Sequence, residues 1–288
     1  MTLMQPVGAH HVPAGPLAVR WLAYELVEPP RAGAATPVEL ELENAGTAAW
    51  RAEGDRRVEV GYHWLDDRGN AIVHGGLWAP FPRAIEPGER IRQRVELRSP
   101  LGPGRYALAF DLVDAGRSWF ADVGNERLEL EIDVRPRIAR RALAVVFTPG
   151  PEDLVAQSHK VLAEQDEALV PRGEEEALAH LAPGSAPARD WSRRILDAHE
   201  EGYAVVAGAI DAGRRPPKAL EPWRPGAGRV PRFAHPLLCP SLIPGSEPVW
   251  DWSEVEGLPA LAHPSREPWI YDGRIVVRAR PRSGRPSA

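Results

Sequence analysis

Cysteine is nearly absent: Cys239 is the single thiol in 288 residues. That excludes an internal disulfide framework and a zinc site built from several cysteines. Long apolar runs are also missing. No stretch approaches the roughly 20 residues of a membrane-spanning helix. Lysine is scarce, represented by Lys160 and Lys218 alone. Positive charge has no local surplus. Residues 1–135 carry 15 basic and 20 acidic side chains, and residues 136–288 carry 20 of each. Phosphate backbones select for a basic excess, so nucleic acid is a poor partner. Residues 1–16 read as a flexible arm and lack the charged start and apolar run of a secretory signal. Together with the lone thiol, this gives the expectation of a cytoplasmic protein.

What is present suffices for a core: 43% of residues are hydrophobic, 26% are charged, and the net charge is −5. At roughly 150 residues per domain, the length suits two domains. The first half reads as short strands. In 37–43 (PVELELE), Val38, Leu40 and Leu42 face one way while Glu39, Glu41 and Glu43 face the other. Residues 127–134 (RLELEIDV) repeat the pattern, which is that of a strand with one wet face. Turn chemistry separates the strands at Asn44-Ala45-Gly46, Asp66 to Asn70, Glu86-Pro87-Gly88 and Gly102-Pro103-Gly104. No Gly-Lys-Ser follows the last of these, so it is a turn and not a phosphate loop. Eight such strands predict a β-sandwich over residues 17–135. Tyr106 sits where a tyrosine corner would tie a strand to its own loop.

The segments ELENAGTAAW (41–50), PGERIRQRVELRSPLGPGRYALAFDLV (87–113) and SWF (118–120) resemble the four-tryptophan type of immunoglobulin-like domain. That type is known from autophagy cargo receptors and many bacterial proteins. GYHWLDDRGNAIVHGG (61–76) is similar to the version found beside bacterial glycosyltransferases, methyltransferases and polysaccharide-export proteins. The resemblance implies an immunoglobulin-like sandwich and, because fold does not imply function, little else.

The pattern changes at Arg135-Pro136-Arg137. LAVVFTPG (143–150) is a continuous apolar run suited to a buried strand. Residues 152–165 place Leu154, Val155, Ser158, Val161 and Leu162 on one helical face. Residues 190–201 form a second helical pattern stopped by Gly202, and 203–210 (YAVVAGAI) a second buried strand. This grammar predicts a small α/β unit over 142–213. Residues 214–288 hold 14 prolines, so regular structure is expected to be sparse. A turn of helix at 249–256, a strand at 274–279, packing of 214–279 on the α/β unit and a disordered tail at 280–288 complete the division.

LAVVFTPGPEDLVAQSHKVLAEQ (143–165) and HLAPGSAPARDWSRRILDAHEEGYAVVAGAI (180–210) resemble family 2 glycosyltransferases of the GT-A-like type. In that family, acidic residues after a strand hold a divalent metal on the sugar-nucleotide diphosphate. The matching stretch here, Leu181-Ala182-Pro183-Gly184-Ser185, has no carboxylate, and the nucleotide-base position falls near Arg172-Gly173. Hard cations require oxygen ligands, and an unneutralised diphosphate is a poor leaving group. The resemblance therefore implies a truncated, inactive relative, without catalytic residues, metal ligands or cofactor. Asp251 and Glu254 are the acidic pair near a base position.

His10-His11, His63, His74 and His235 have spacings that do not converge as metal ligands on a helix would. Cys239, between Leu238 and Pro240, reads as a small buried hydrophobe. Of Trp21, Trp50, Trp64, Trp78 and Trp119, most belong to packing, with Trp64 in phase with Tyr62 and Val60. Trp250, Trp252 and Trp269 would pack the proline-rich segment. The candidate ligand-binding residues are Trp78, Phe81 and Arg83 in the Gly/Pro loop 75–83, two aromatic surfaces beside an arginine fork. Inward packing of Trp78 is the commoner fate of a tryptophan in a small sandwich. The functional reading is a non-catalytic binding or scaffolding protein of bacterial surface-glycan assembly, with a glycan or protein partner. An active glycosyltransferase with a non-standard site and a protein–protein adaptor are the alternatives.

Overall fold

The computed structural model describes residues 4–211, 238–244, 253–255, 258–260 and 267–278. The tail 280–288, His235, Trp250, Asp251 and Trp252 lie outside the described residues, and the side chains of Cys239 and Glu254 are likewise not described. The chain divides into two compact units, Met1–Arg135 and Pro136–Ala288.

The first unit contains β1 (Gln5–Pro6), β2 (Val19–Leu26), β3 (Ala35–Asn44), β4 (Val58–Leu65), β5 (Ala71–Val73), β6 (Ala79–Pro80), β7 (Arg90–Arg98), β8 (Gly104–Asp114), β9 (Ser118–Trp119) and β10 (Leu128–Val134). One sheet has the order β1-β2-β3-β7. The other has the order β10-β8-β4-β5, with β6 also on β4 and β9 on β8. All pairings between these strands are antiparallel.

The core lies between the two sheets. Val38, Leu40 and Leu42 of β3 meet Val60, Tyr62 and Trp64 of β4 and Leu108, Phe110 and Leu112 of β8 in one buried cluster. Period-2 alternation makes this possible, since each strand presents every second side chain to the opposing sheet. Tyr62 and Trp64 each find a partner for the polar atom they bury there, whereas Trp50 Nε1 is buried in the same cluster without one. The Tyr62 hydroxyl accepts from the Arg98 amide at 2.8 Å, and Trp64 Nε1 donates to the Arg98 carbonyl at 2.9 Å. Burial pushes the Tyr62 phenol above its ordinary pKa. The Tyr106 hydroxyl donates to the Gly102 carbonyl at 3.0 Å, closing the corner that the local sequence predicts. Asn125, buried after the single 3-10 turn Phe120–Val123 among the described residues, accepts from the Val19 amide and donates to the carbonyls of Leu17 and Phe120.

The second unit contains β11 (Leu143–Phe147), α1 (Glu152–Leu162), β12 (Ala177–Leu181), β13 (Ala186–Pro187), α2 (Trp191–Glu200), β14 (Val205–Asp211), β15 (Leu238–Leu242), β16 (Ser253–Val255), β17 (Leu258–Ala260) and β18 (Trp269–Arg278). Its main sheet has the order β11-β12-β15-β14-β18-β13. The β11–β12 and β14–β18 pairs are parallel, and β15 is antiparallel to both of its neighbours. The sheet is therefore mixed, and the α/β grammar of the sequence covers only part of it. The proline-rich stretch supplies β15 and β18 to the sheet itself. Pro240 lies within β15, where the registered partners are Leu238, Ser241 and Leu242. A proline removes one donor and leaves its neighbours free to pair. The turn of helix expected at 249–256 is corrected where it is described: Ser253–Val255 is a strand paired with Leu258–Ala260. A three-residue strand carries too little periodicity to reveal itself without its partner.

Helix α2 buries Trp191, Ile195, Leu196 and His199. The Arg141 guanidinium binds Glu167, Asp197 and Glu200 and so ties the entry to β11 to α2. His199 is 0% exposed. Its Nδ1 lies 2.8 Å from the Tyr203 carbonyl and its Nε2 2.9 Å from Ser241 Oγ. A carbonyl only accepts, so Nδ1 carries the proton and Ser241 donates to Nε2. Burial drives the His199 pKa down to about 4. The unfolded imidazole titrates near its ordinary value, so the unfolded state binds the extra proton between about pH 6.5 and 4. Stability contributed by neutral His199 is complete above pH 6.5 and is lost as the pH falls toward 4, by on the order of 3 kcal/mol. Urea unfolding followed in the second unit should show this loss. In the folded chain, the His199 ring carbons should not shift in NMR spectra above pH 5.

Candidate functional site

The outward face of the second sheet of the first unit is built by the same alternation that fills the core. With Tyr62 and Trp64 inside, Gly61 and His63 face out. Their registered partners on β8 are Asp111 and Ala109. The β8–β9 hairpin places Trp119 opposite Val113. From there the indole crosses the outer face and rests on Gly61. A Cβ at position 61 would stand 2.8 Å from the indole ring carbons, so any other residue displaces the ring.

The turn after β5 brings two more rings to this indole. Gly75 and Gly76 have φ of +87° and +54°, the left-handed region that glycine enters without strain. The Tyr62 amide donates to the Gly75 carbonyl at 3.3 Å, and the Gly75 amide donates to His63 Nδ1 at 3.2 Å. His74 and Trp78 therefore leave the turn on the side of Trp119. Their ring centroids lie 5.5 and 6.0 Å from it, and both pairs meet edge to face. His63 lies beneath, 4.5 Å from Trp119 and 4.5 Å from His74. Trp78 is 45% exposed and His74 is exposed, while His63 is 1% exposed.

Charge is balanced across this face. Asp111 is buried beside Gly61 and meets Arg127 Nε at 3.3 Å. Burial raises its carboxyl to about 6 against the opposing pull of the Leu112 amide and Arg127. Burial lowers the His63 pKa to about 4, aided by the positive Arg127. His63 is thus neutral at physiological pH. Asp122 Oδ2 accepts from the Trp119 amide at 3.0 Å.

The three residues named from the sequence are not brought together. Trp78 stands at the surface. Phe81 is 3% exposed and stacks on Trp50 at 5.5 Å, so its ring serves the core and offers no outer stacking surface. The intervening β6 pairs with β4 and carries the chain past the sheet edge into the sandwich. Arg83 is exposed, pairs with Glu89 and donates to the Ala84 carbonyl. Sequence spacing missed His63, His74 and Trp119. The available signal was the β4–β5 hairpin, whose register pairs Trp64 with Val73 and so sets His63 near His74.

The remaining candidates resolve separately. His10 Nε2 accepts from the Trp21 amide and the His11 amide donates to Glu126, so this pair does not converge. Among the described residues no three metal-binding side chains are grouped, and no helix is long and apolar enough to cross a membrane. In the second unit, β12 delivers Leu181–Ser185 beside the end of β11, with the Thr148 amide donating to the Leu181 carbonyl at 2.9 Å. Pro183 closes on Gly150 there.

No family model matches the chain, and no curated protein matches it. Among solved structures it is similar to a β-glucosidase from Listeria innocua, at 14% identity and a TM-score of 0.25, over 40% of this chain and 16% of that one. It is similar to a family 123 glycoside hydrolase from Clostridium perfringens at 10% identity and a TM-score of 0.23, over 47% and 27% of the two chains. It is also similar to an ASH/PapD-like domain of human CEP192, at 16% identity and a TM-score of 0.21, over 46% and 96%. The chain thus spans well under two thirds of either hydrolase. Likenesses at these scores carry no argument about function.

Two substitutions three residues apart should behave oppositely. Phe81→Ala should cost about 3–5 kcal/mol in denaturant unfolding, as for other large core truncations. Trp78→Ala should leave the melting temperature nearly unchanged. Gly61→Ala should displace Trp119 and shift its fluorescence emission.

Proposed function

We propose that this chain is a non-catalytic binding or scaffolding protein of bacterial surface-glycan assembly, and that its first unit captures glycan on the face formed by Trp78, His74 and Trp119. The observation that carries this reading is the exposure of Trp78 beside a half-buried Trp119, both fixed by the Gly75-Gly76 turn and the sheet beneath. Aromatic faces held in place cover the C–H surface of a pyranose with little loss of side-chain freedom.

The first unit is read as an immunoglobulin-like sandwich of the four-tryptophan type. Its strand orders and the buried Trp21, Trp50 and Trp64 support that reading. The second unit is read as a truncated relative of family 2 glycosyltransferases. Its strand–helix opening supports the relationship, and the carboxylate-free stretch Leu181–Ser185 supports the loss of metal-dependent transfer. The single cysteine suits a cytoplasmic setting.

Binding of the purified chain to a printed array of bacterial surface polysaccharides tests the proposal. Wild type should bind at least one polysaccharide, and the folded Trp78→Ala variant should lose that binding. Calorimetry with UDP- and GDP-sugars plus Mn²⁺ should show no heat at millimolar ligand. Metal-dependent turnover would replace the proposal with the glycosyltransferase reading. A blank array, with Trp78 protected by a protein partner instead, would replace it with the adaptor reading.

A further inference from the structure

Beneath the aromatic face one polar atom has no partner. His63 Nε2 is buried, and nothing accepts or donates a hydrogen bond there. The other ring nitrogen fixes what Nε2 can do. Nδ1 accepts from the Gly75 amide, so in the neutral ring it carries no proton. Nε2 therefore bears the hydrogen and is a donor. A protonated nitrogen has no lone pair for a metal, so this histidine is not built as a ligand to a cation. It requires an oxygen acceptor. Its nearest rings offer at most a weak substitute, with the Trp119 indole at 4.5 Å and 63°. Leaving such a donor buried and unpaired is unfavourable, and a ligand that supplies the acceptor recovers that cost.

Two features decide which acceptor. His74 is the exposed ring over His63, at 4.5 Å, and an exposed side chain changes rotamer freely. Turning His74 aside would uncover the His63 ring toward the aromatic face. The cation that acts most strongly on His63, Arg127, is also already committed. Arg127 is engaged by Asp111, and Asp122 adds a further negative charge at Trp119. A carboxylate or phosphate would therefore find its nearest cation already compensated, whereas an uncharged hydroxyl needs none.

We infer that the face binds an uncharged pyranose, which stacks on Trp78 and Trp119 and places one hydroxyl oxygen to accept a hydrogen bond from His63 Nε2–H. The inference rests on the glycan-binding reading above and narrows it to one substrate class and one specificity-determining donor. A methyl group or an amine in place of that hydroxyl would leave the donor unpaired or opposed, so the site selects for the oxygen.

Ring-nitrogen NMR of the full chain labelled in histidine tests it, with the methyl glycosides of glucose, galactose, mannose and N-acetylglucosamine as probes and glucuronic acid and glucose 1-phosphate as charged controls. At least one neutral glycoside should move the His63 Nε2–H resonance downfield, slow its exchange with water and perturb the Trp78 and Trp119 indole signals together. The charged sugars should not. His63→Phe should weaken the best neutral glycoside about tenfold, the worth of one hydrogen bond at about 1.4 kcal/mol. Indole shifts without any change at His63 Nε2–H would overturn the inference and leave glycan binding standing. Preferential response to the charged sugars would overturn the uncharged class. If no sugar moves either the indoles or His63, the inference and the glycan-binding reading both fall. Should His63→Phe fail to fold, the wild-type resonances decide the matter alone.

Discussion

Strand β4 is locked in phase by two hydrogen bonds to a single residue of the opposite sheet. Tyr62 and Trp64 take the amide and the carbonyl of Arg98, so both polar tips are satisfied inside the sandwich. A slip of one residue would exchange the faces of the whole strand. It would strand a phenol and an indole N–H outside, and bury His63 against Leu40 and Leu42. The same two bonds that secure the core therefore hold Gly61 and His63 on the outer face. The binding face depends on this phase more than on any interaction made within it.

Around that strand, the rigidity of the face comes from backbone and from small residues. Gly61 admits the indole, Gly75 and Gly76 turn the chain, and Asn125 pins the segment after Trp119 to the start of β2. Side chains that would be mobile on an ordinary surface are thus presented from fixed points. The second unit handles its buried imidazole differently. His199 has both nitrogens satisfied, by Tyr203 and Ser241. Two histidines with similarly depressed pKa values thus occupy opposite situations, one closed within packing and one holding a donor in reserve.

Much of this was legible in sequence wherever the signal was local. The alternation in 37–43 and 127–134 marks strands because one face of each is wet, and the Tyr106 corner closes within four residues. Trp78 and Phe81 share one Gly/Pro loop and diverge because β6 pairs with β4, an event some 20 residues removed in sequence that loop composition does not encode. The meeting of His63, His74 and Trp119 needs two hairpin registers at once. In the second unit, proline density suggested irregular chain. A proline between paired neighbours is compatible with a strand, and β15 sits in the interior of the sheet order.

The strand order of the second unit also sets when it can be finished during synthesis. The first unit's sheets are complete once residue 134 has left the ribosome. In the second, β13 and β14 both take β18 as a neighbour, and β18 is not made until residues 269–278. Until then β14 has an open, apolar edge while some sixty residues are still being added. Non-local pairing of this kind is slow, and open edges invite association with other chains. The nascent chain therefore passes through a stage with one finished sandwich and one unfinished sheet, and that stage is where chaperone demand and aggregation should concentrate.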